Sequence, residues 1–398
     1  MARHLSAGSG PLALLILQPT PFCNIDCGYC YLPDRQNRSR MSFETLRAGI
    51  SRILEAGLLG KSLSVVWHAG EPLVMSRDWY AEAFRIVAEM VPGDIAVEHN
   101  FQTNALLVDK AWCDFFREHR VRVGVSVDGP AALHDLSRRT RSGKGTHERA
   151  LAGVRLLLQS EIPVHAICVL TRAHLDRADE IFDFFVGLGI RELGFNIDEI
   201  DGVNRTSSLA AEDALSKFSQ FFNTIVSRYR GDPGLLSIRE IDRVLASLMN
   251  SSPQELAGNI QTRPLAIVSI AWNGDVSTFS PELLGTHDPR FGLFSFGNVA
   301  THALAEVLQD PRLRRIAAEI SRGVGRCRKT CPYFGFCRGG APANKLGETG
   351  RFDTTVTTFC TLTHMVVTET VLVGLEKDLA RMTAPSDPFP QRDHARSI

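Results

Sequence analysis

The sequence predicts an α/β fold in which a parallel sheet, wound from strand–helix units, is followed by a small cysteine-rich α+β extension. Three observations carry that prediction. From residue 11 to about residue 200, short β-rich runs alternate with amphipathic helical stretches, as right-handed crossovers between parallel strands require. Polar motifs follow five of the six strand candidates, where parallel sheets and barrels gather their functional groups. Seven of the nine cysteines fall into two sets, one just after the first strand and one beyond residue 326.

Taken in order, the strand candidate Leu12–Leu17 runs into Cys23-x3-Cys27-x2-Cys30, and Leu63–Trp67 into His68-Ala69-Gly70-Glu71-Pro72. Ala96–Gln102 ends in Gln102-Thr103-Asn104, and Val121–Val127 in Ser126-Val127-Asp128-Gly129-Pro130. Val164–Leu170 is the fifth strand, and Glu192–Ile197 leads into Asn196-Ile197-Asp198-Glu199. Helix candidates lie between them at about 43–57, 77–91, 108–119, 146–159 and 173–188. Residues 134–147, rich in His, Arg, Lys and Gly, read as a mobile loop over the mouth, with His134 and His147 as polar loop residues. Cys113 and Cys168 sit in apolar surroundings and read as small core side chains.

The first unit is expected over 11–205. A helical bridge over 206–262 contains Ser207-Ser208, Asp232-Pro-Gly234 and Ser251-Ser252-Pro253. The extension, 263–398, opens with a hairpin, Ala266–Ala271 and Val276–Phe279 around an Asn273-Gly274 turn, and closes on a C-terminal helix. Periodicity alone does not separate a doubly wound sheet from an open barrel.

Lys+Arg and Asp+Glu are both 44, so the balanced charge argues against broad attraction to nucleic acid. No apolar run reaches the ~20 residues needed to cross a bilayer, and no signal peptide is visible. Nine cysteines in such a chain fit a reducing cytoplasm and metal ligation better than disulfides.

Three thiolates in eight residues, on a polar loop leaving a buried strand, suit an iron–sulfur centre. A structural zinc site would show paired C-x2-C units, and an odd local count fits a disulfide poorly. Three local ligands leave a cubane with one open iron. The second set, Cys327-x3-Cys331-x5-Cys337 with Cys360, supplies four thiolates for a closed cluster, with four-cysteine zinc as the rival.

The Cys23-x3-Cys27-x2-Cys30 loop, with Tyr29 before its last cysteine, resembles that of radical S-adenosylmethionine (radical SAM) enzymes. The resemblance implies a partial (β/α)6 TIM-like barrel and a 4Fe-4S cluster whose open iron chelates S-adenosylmethionine. Gly70-Glu71-Pro72 resembles the family's GGEP motif, with Ala69 in place of its first glycine. By the same carry-over, Tyr29, Gly70, Glu71, Ser126, Arg138 and Asn196 are implied contacts of the cofactor, with Arg139 as the neighbour that could replace Arg138.

The second cysteine set resembles the SPASM extension of radical SAM enzymes that modify peptides. Ala341 stands where a further ligand is usual, and the hairpin has none, so two 4Fe-4S clusters are implied. The stretches Leu17–Cys23, Cys30–Arg35 and Phe279–Gly285 resemble SPASM maturases that form three-residue cyclophanes in glycine-rich ribosomal peptides. That likeness implies a precursor-peptide partner and an external reductant such as flavodoxin or ferredoxin, with no nucleic acid and no membrane. With only 22 residues before Cys23, a separate leader-binding domain is not expected at that end. Glu282 is the candidate catalytic base, with Asp198 and Glu199 behind it. The alternatives are thioether formation, sulfatase formylglycine formation, or a non-catalytic metal scaffold.

Overall fold

The computed structural model describes residues 12–249 and 259–383. Six strands alternate with helices along its first half: β1 (Leu14–Leu17), β2 (Ser62–Trp67), β3 (Ala96–Thr103), β4 (Arg122–Ser126), β5 (Val164–Leu170) and β6 (Glu192–Ile197). They lie side by side in chain order, and every pairing among them is parallel. A doubly wound sheet reverses its strand order at a switch point, whereas barrels keep chain order. The sheet is therefore that of a partial barrel.

The helices between the strands are α1 (Phe43–Glu55), α2 (Arg77–Met90), α3 (Lys110–Glu118), α4 (Ala131–Ser137), α5 (His147–Gln159) and α6 (Ala178–Leu188). Ser42, Ser76 and Asp109 cap the first three, each side chain accepting a backbone N–H three residues on. Trp67, Tyr80, Phe101 and Phe116 are fully buried between sheet and helices, and Tyr80 meets Phe101 edge-on at 4.7 Å. Cys113 and Cys168 are in this core, as the sequence implied.

Helix α4 corrects the reading of 134–147 as one loop. His134 is buried within it and bonds Thr146 at 3.1 Å. The Asp135 carboxylate then accepts the backbone N–H of Thr146 and His147. The polar composition that suggested a loop instead supplies internal partners.

The bridge contains α7 (Ala214–Gly231) and α8 (Arg239–Met249), and also a short strand, β7 (Ser237–Ile238), paired in parallel with β6. The Ser251-Ser252-Pro253 turn lies outside the described residues. The hairpin forms β8 (Ile267–Ile270) and β9 (Val276–Thr278), with Gly274 at φ +90° in its turn. It does not stand apart from the barrel: β8 pairs in parallel with β1, Leu14 against Ile267, so nine strands share one sheet.

Beyond it the extension is mainly helical, with helices at Pro311–Thr330 and Pro342–Thr349, a two-stranded ribbon, and a long helix, Thr358–Thr383. By length and composition this last helix could cross a membrane. The sequence predicts this C-terminal helix, while Glu369 and Glu376-Lys377-Asp378 keep any single apolar run within it short. It packs on α7 and α8, and Arg230 of α7 bonds Asp378 at 2.7 Å.

The helix Pro342–Thr349 docks onto the end of β6 without clearance. A Cβ at Gly347 would lie 1.8 Å from the Ile200 carbonyl oxygen. Gly347→Ala should therefore cost about 1–3 kcal/mol through overpacking, read as a lower urea midpoint; an unchanged midpoint would contradict this packing.

Candidate active site

The C-terminal ends of the barrel strands surround a cavity of about 370 Å³. A second cavity of about 780 Å³ continues from it toward the C-terminal helices. Asn196, Glu199, Asp201 and Glu282 line both, so they mark the passage between them.

Cys23, Cys27 and Cys30 all line the inner cavity as free thiols. Their loop is braced on both sides. Asp26 N–H donates to the Arg139 carbonyl at 2.7 Å, Gly28 N–H to the Ser137 carbonyl, and the Arg141 guanidinium to the Cys23 carbonyl. The arginine run 138–141, which could have been a solvated charge patch, is thus part of the site's scaffold. Arg138 faces inward and is 6% exposed, while Arg139 turns outward and bonds the Asp135 carbonyl.

Arg138 Nε donates to Asp128 Oδ2 at 2.9 Å, and its Nη1 lies 3.9 Å from Cys27 Sγ. The Tyr29 hydroxyl donates to the same Asp128 oxygen at 2.5 Å. Asn104 Nδ2 lies 3.9 Å from Cys23 Sγ. Burial pushes the Cys23 and Cys27 thiols up to about 12, so a cation must displace their protons before they ligate. The N–H groups aimed at two of the sulfurs fit an anionic, metal-bound state.

Gly70, at φ +137°, presses against the base of the cysteine loop: a Cβ there would meet the Thr20 carbonyl oxygen at 2.3 Å. Ala69 has taken over the missing glycine's position with its own positive φ of 67°. Glu71 lines the cavity, but its carboxylate accepts Leu73 N–H, the Thr103 hydroxyl and Asn104 N–H at 2.6–3.0 Å. It therefore fastens the end of β2 to the end of β3. Ser126 is held by Gln102 Nε2 at 3.0 Å, and Asn196 Oδ1 by Arg239 at 2.8 Å; both line the inner cavity.

At the passage, three carboxylates that are distant in sequence meet: Glu199 and Asp201 after β6, and Glu282 after β9. Burial raises all three, and the neighbouring charges raise Glu199 and Glu282 further. Tyr31 is packed among them and pairs with His68 Nε2 at 3.0 Å. Burial pulls His68 down to about 4, so the imidazole is neutral, and its buried Nδ1 has no partner among the described residues. Asp198, a second-choice base by sequence, is engaged by Asn204 and the Ser208 N–H and serves the loop. Asp201, Tyr31 and His68 were not singled out as a cluster from sequence; the Asp201-Gly202 turn was the available signal.

In the second cysteine set, the neighbouring charges of Cys327, Cys331 and Cys337 all act on Cys360, so the four thiols share one locality. Cys337 borders the outer cavity. Lys345, 3% exposed, has Cys327 Sγ at 3.8 Å as its one side-chain partner among the described residues. Among the described residues, no three His, Cys, Asp or Glu side chains, in either cysteine set or elsewhere, are gathered around a single ion position.

A partial parallel barrel with three thiols at its mouth, opening onto a ligand-sized cavity, defines a metal- and cofactor-dependent enzyme. The Radical SAM superfamily model matches residues 17–201. A serine-type anaerobic sulfatase-maturating enzyme of Klebsiella pneumoniae is 33% identical over 340 residues, covering 84% of this chain and 82% of that one. An uncharacterized protein of Synechocystis sp. is 39% identical over 374 residues, 93% of this chain and 94% of the relative. Among solved structures, anSMEcpe with bound AdoMet and Cp18Cys peptide has a TM-score of 0.74 at 17% identity, covering 93% of this chain and 99% of that chain. Streptococcus suis SuiB bound to its precursor peptide SuiA has a TM-score of 0.62 at 16% identity, with coverages of 88% and 76%. The chain belongs to the radical SAM superfamily, in its family of peptide and sulfatase maturases. Membership implies a 4Fe-4S cluster and S-adenosylmethionine, and the three-cysteine loop fits them.

Because three donors converge on Glu71, its replacement by Gln sets an amide NH2 against them. Glu71→Gln should cost about 1–3 kcal/mol of stability, measured by denaturant unfolding; a wild-type midpoint would show that the carboxylate is not a brace.

Proposed function

We propose that this protein joins the β-carbon of one residue to a neighbouring aromatic ring in a ribosomal, glycine-rich precursor peptide, closing a cyclophane-type crosslink. The observation that supports it is the outer cavity of about 780 Å³ meeting the inner one at Glu282. Sites for small organic ligands run from roughly 300 to 1,000 Å³. The inner cavity is thus of a size for the nucleotide cofactor, and the outer one has room for several peptide residues, including an aromatic ring.

Cys23, Cys27 and Cys30 would hold the cluster that binds S-adenosylmethionine and would supply radical chemistry, and Cys327, Cys331, Cys337 and Cys360 would hold a second 4Fe-4S cluster that would supply an electron acceptor. The chain's own residues do the rest. Arg138, held by Asp128, offers its remaining N–H groups to the cofactor carboxylate. Tyr29, Gly70, Glu71, Ser126 and Asn196 shape the remaining wall. Tyr31 and neutral His68 limit water around the reacting carbon. Glu282 takes the ring proton as aromaticity is restored. A carboxylate raised toward neutrality is a stronger base than an ordinary one. The work takes place in the cytoplasm with flavodoxin or ferredoxin as reductant.

A second reading, oxidation of a sulfatase active-site residue to formylglycine, is favoured by the similarity to the Klebsiella pneumoniae enzyme. Crosslinking removes two hydrogens and blocks fragmentation within the ring, whereas formylglycine carries a hydrazine-reactive aldehyde. Thioether closure would consume a cysteine thiol. Mass spectrometry of a co-expressed glycine-rich peptide separates all three.

Cys27→Ala should form no 5′-deoxyadenosine under reducing, anaerobic conditions. Glu282→Gln should still form it while crosslinked product drops at least ~100-fold; full crosslinking would reject Glu282 as base. Asp201 and Glu282 are raised to about 7 and about 8, so below pH 7 both hold protons and the base is lost. Crosslinking rate should climb between pH 6 and 8.5, and a profile flat across that range would contradict a role for this pair.

A further inference from the structure

Resting on the peptide-maturase reading, we propose that the outer cavity is built to recognise an acidic peptide: Arg243 and Arg338 receive a side-chain carboxylate of the substrate, from an aspartate or glutamate. Arg243 projects from α8 and Arg338 follows Cys337 at a left-handed φ of 54°. Both line the cavity, and neither guanidinium has a hydrogen bond or ion pair among the described residues. Arginines at other buried or half-buried positions do carry carboxylate partners, as Arg138 has Asp128 and Arg230 has Asp378.

The cavity is polarised along its length. At the end near α8 stand Arg239, Arg243 and Arg338, opposed by Glu240. Arg239 already binds Glu240, the Phe195 carbonyl and Asn196, and Glu240 also accepts the Phe195 N–H at 3.0 Å. Two guanidiniums, each with five donors, are left facing the space. His364 shares this wall and is neutral, held down to about 4 by burial and by Arg243. At the other end the acids Glu199, Asp201 and Glu282 crowd together around Tyr31. An acidic residue of the peptide would find no cation there and would be drawn to the arginines, whose planar forks match carboxylate geometry. That fixes a direction: the carboxylate anchors near α8 and Cys337 while the reacting residue reaches Glu282.

The test uses anaerobically reconstituted full-length enzyme with S-adenosylmethionine and no reductant, so binding is read apart from turnover. The probes are fluorescein-labelled glycine-rich dodecapeptides with one Trp and one Asp at successive positions, each with an Asn twin. By anisotropy, at least one Asp peptide should bind about tenfold tighter than its twin at low salt. Arg243→Gln combined with Arg338→Gln should erase that preference, and the Arg→Lys pair should keep part of it. Iron content and unfolding midpoint establish that the variants are folded. The proposal is overturned if no Asp peptide outbinds its twin, or if the preference survives in the Gln pair. Failure of the catalytic reading would show elsewhere, as absent 5′-deoxyadenosine from wild-type enzyme in a separate reduced reaction.

Discussion

One carboxylate with no access to water, Asp128, ties the cysteine loop to the sheet. Its Oδ1 accepts the Val169 N–H of β5 at 2.9 Å, and its Oδ2 accepts Tyr29 and Arg138. Its backbone is engaged too, the N–H by His134 and the carbonyl by His174. The end of β4, strand β5, helix α4 and the cysteine loop therefore meet at a single residue. Stripping one partner from such a buried ion pair typically costs about 3–5 kcal/mol, because the other charge is left without compensation. Arg138 transmits the arrangement onward, since the guanidinium that neutralises Asp128 also points at Cys27.

The sheet itself decides where the second half of the site lies. Because β8 adds to the free edge of β1, the hairpin carrying Glu282 enters the barrel rim as its next strand pair. Glu282 then meets Glu199 and Asp201, which follow β6 on the other side of the barrel opening. Closing the barrel by pairing β6 with β1 would have removed that passage. Gly202 holds the acidic turn in place: it docks on Tyr31 so tightly that a Cβ would come within 2.2 Å of the Tyr31 carbonyl. Burial and mutual repulsion of the three acids follow from this packing, and they are what makes the passage suitable for taking up a proton near neutral pH.

Six strands, five helices and both cysteine sets were legible because each is written locally, in alternation, apolar periodicity or spacing. What stayed hidden is what depends on distant partners. The pairing of β8 with β1 joins segments some 250 residues apart, and no local pattern encodes it. The segment 131–147 looked like a loop because its polar residues satisfy one another inside the fold, with Asp135 capping the turn that His134 lies against. Asp128 was visible within the Ser126–Pro130 motif, yet its role could not be read before Tyr29 and Arg138 were brought to it. The motif glutamate, Glu71, lines the cavity, and its three hydrogen bonds assign it a bracing duty that spacing does not reveal.

The two cysteine sets differ in one electrostatic respect. Beside the first, the buried cation is cancelled: Arg138 is paired with Asp128, so its pull on Cys27 is moderated. Beside the second, Lys345 is equally buried but has no carboxylate partner among the described residues, only Cys327. An ammonium buried without an anion is expensive, and a metal-bound thiolate at Cys327 would be a matching partner for Lys345. An uncancelled positive charge at that distance favours the more negative, reduced state of whatever those thiolates hold.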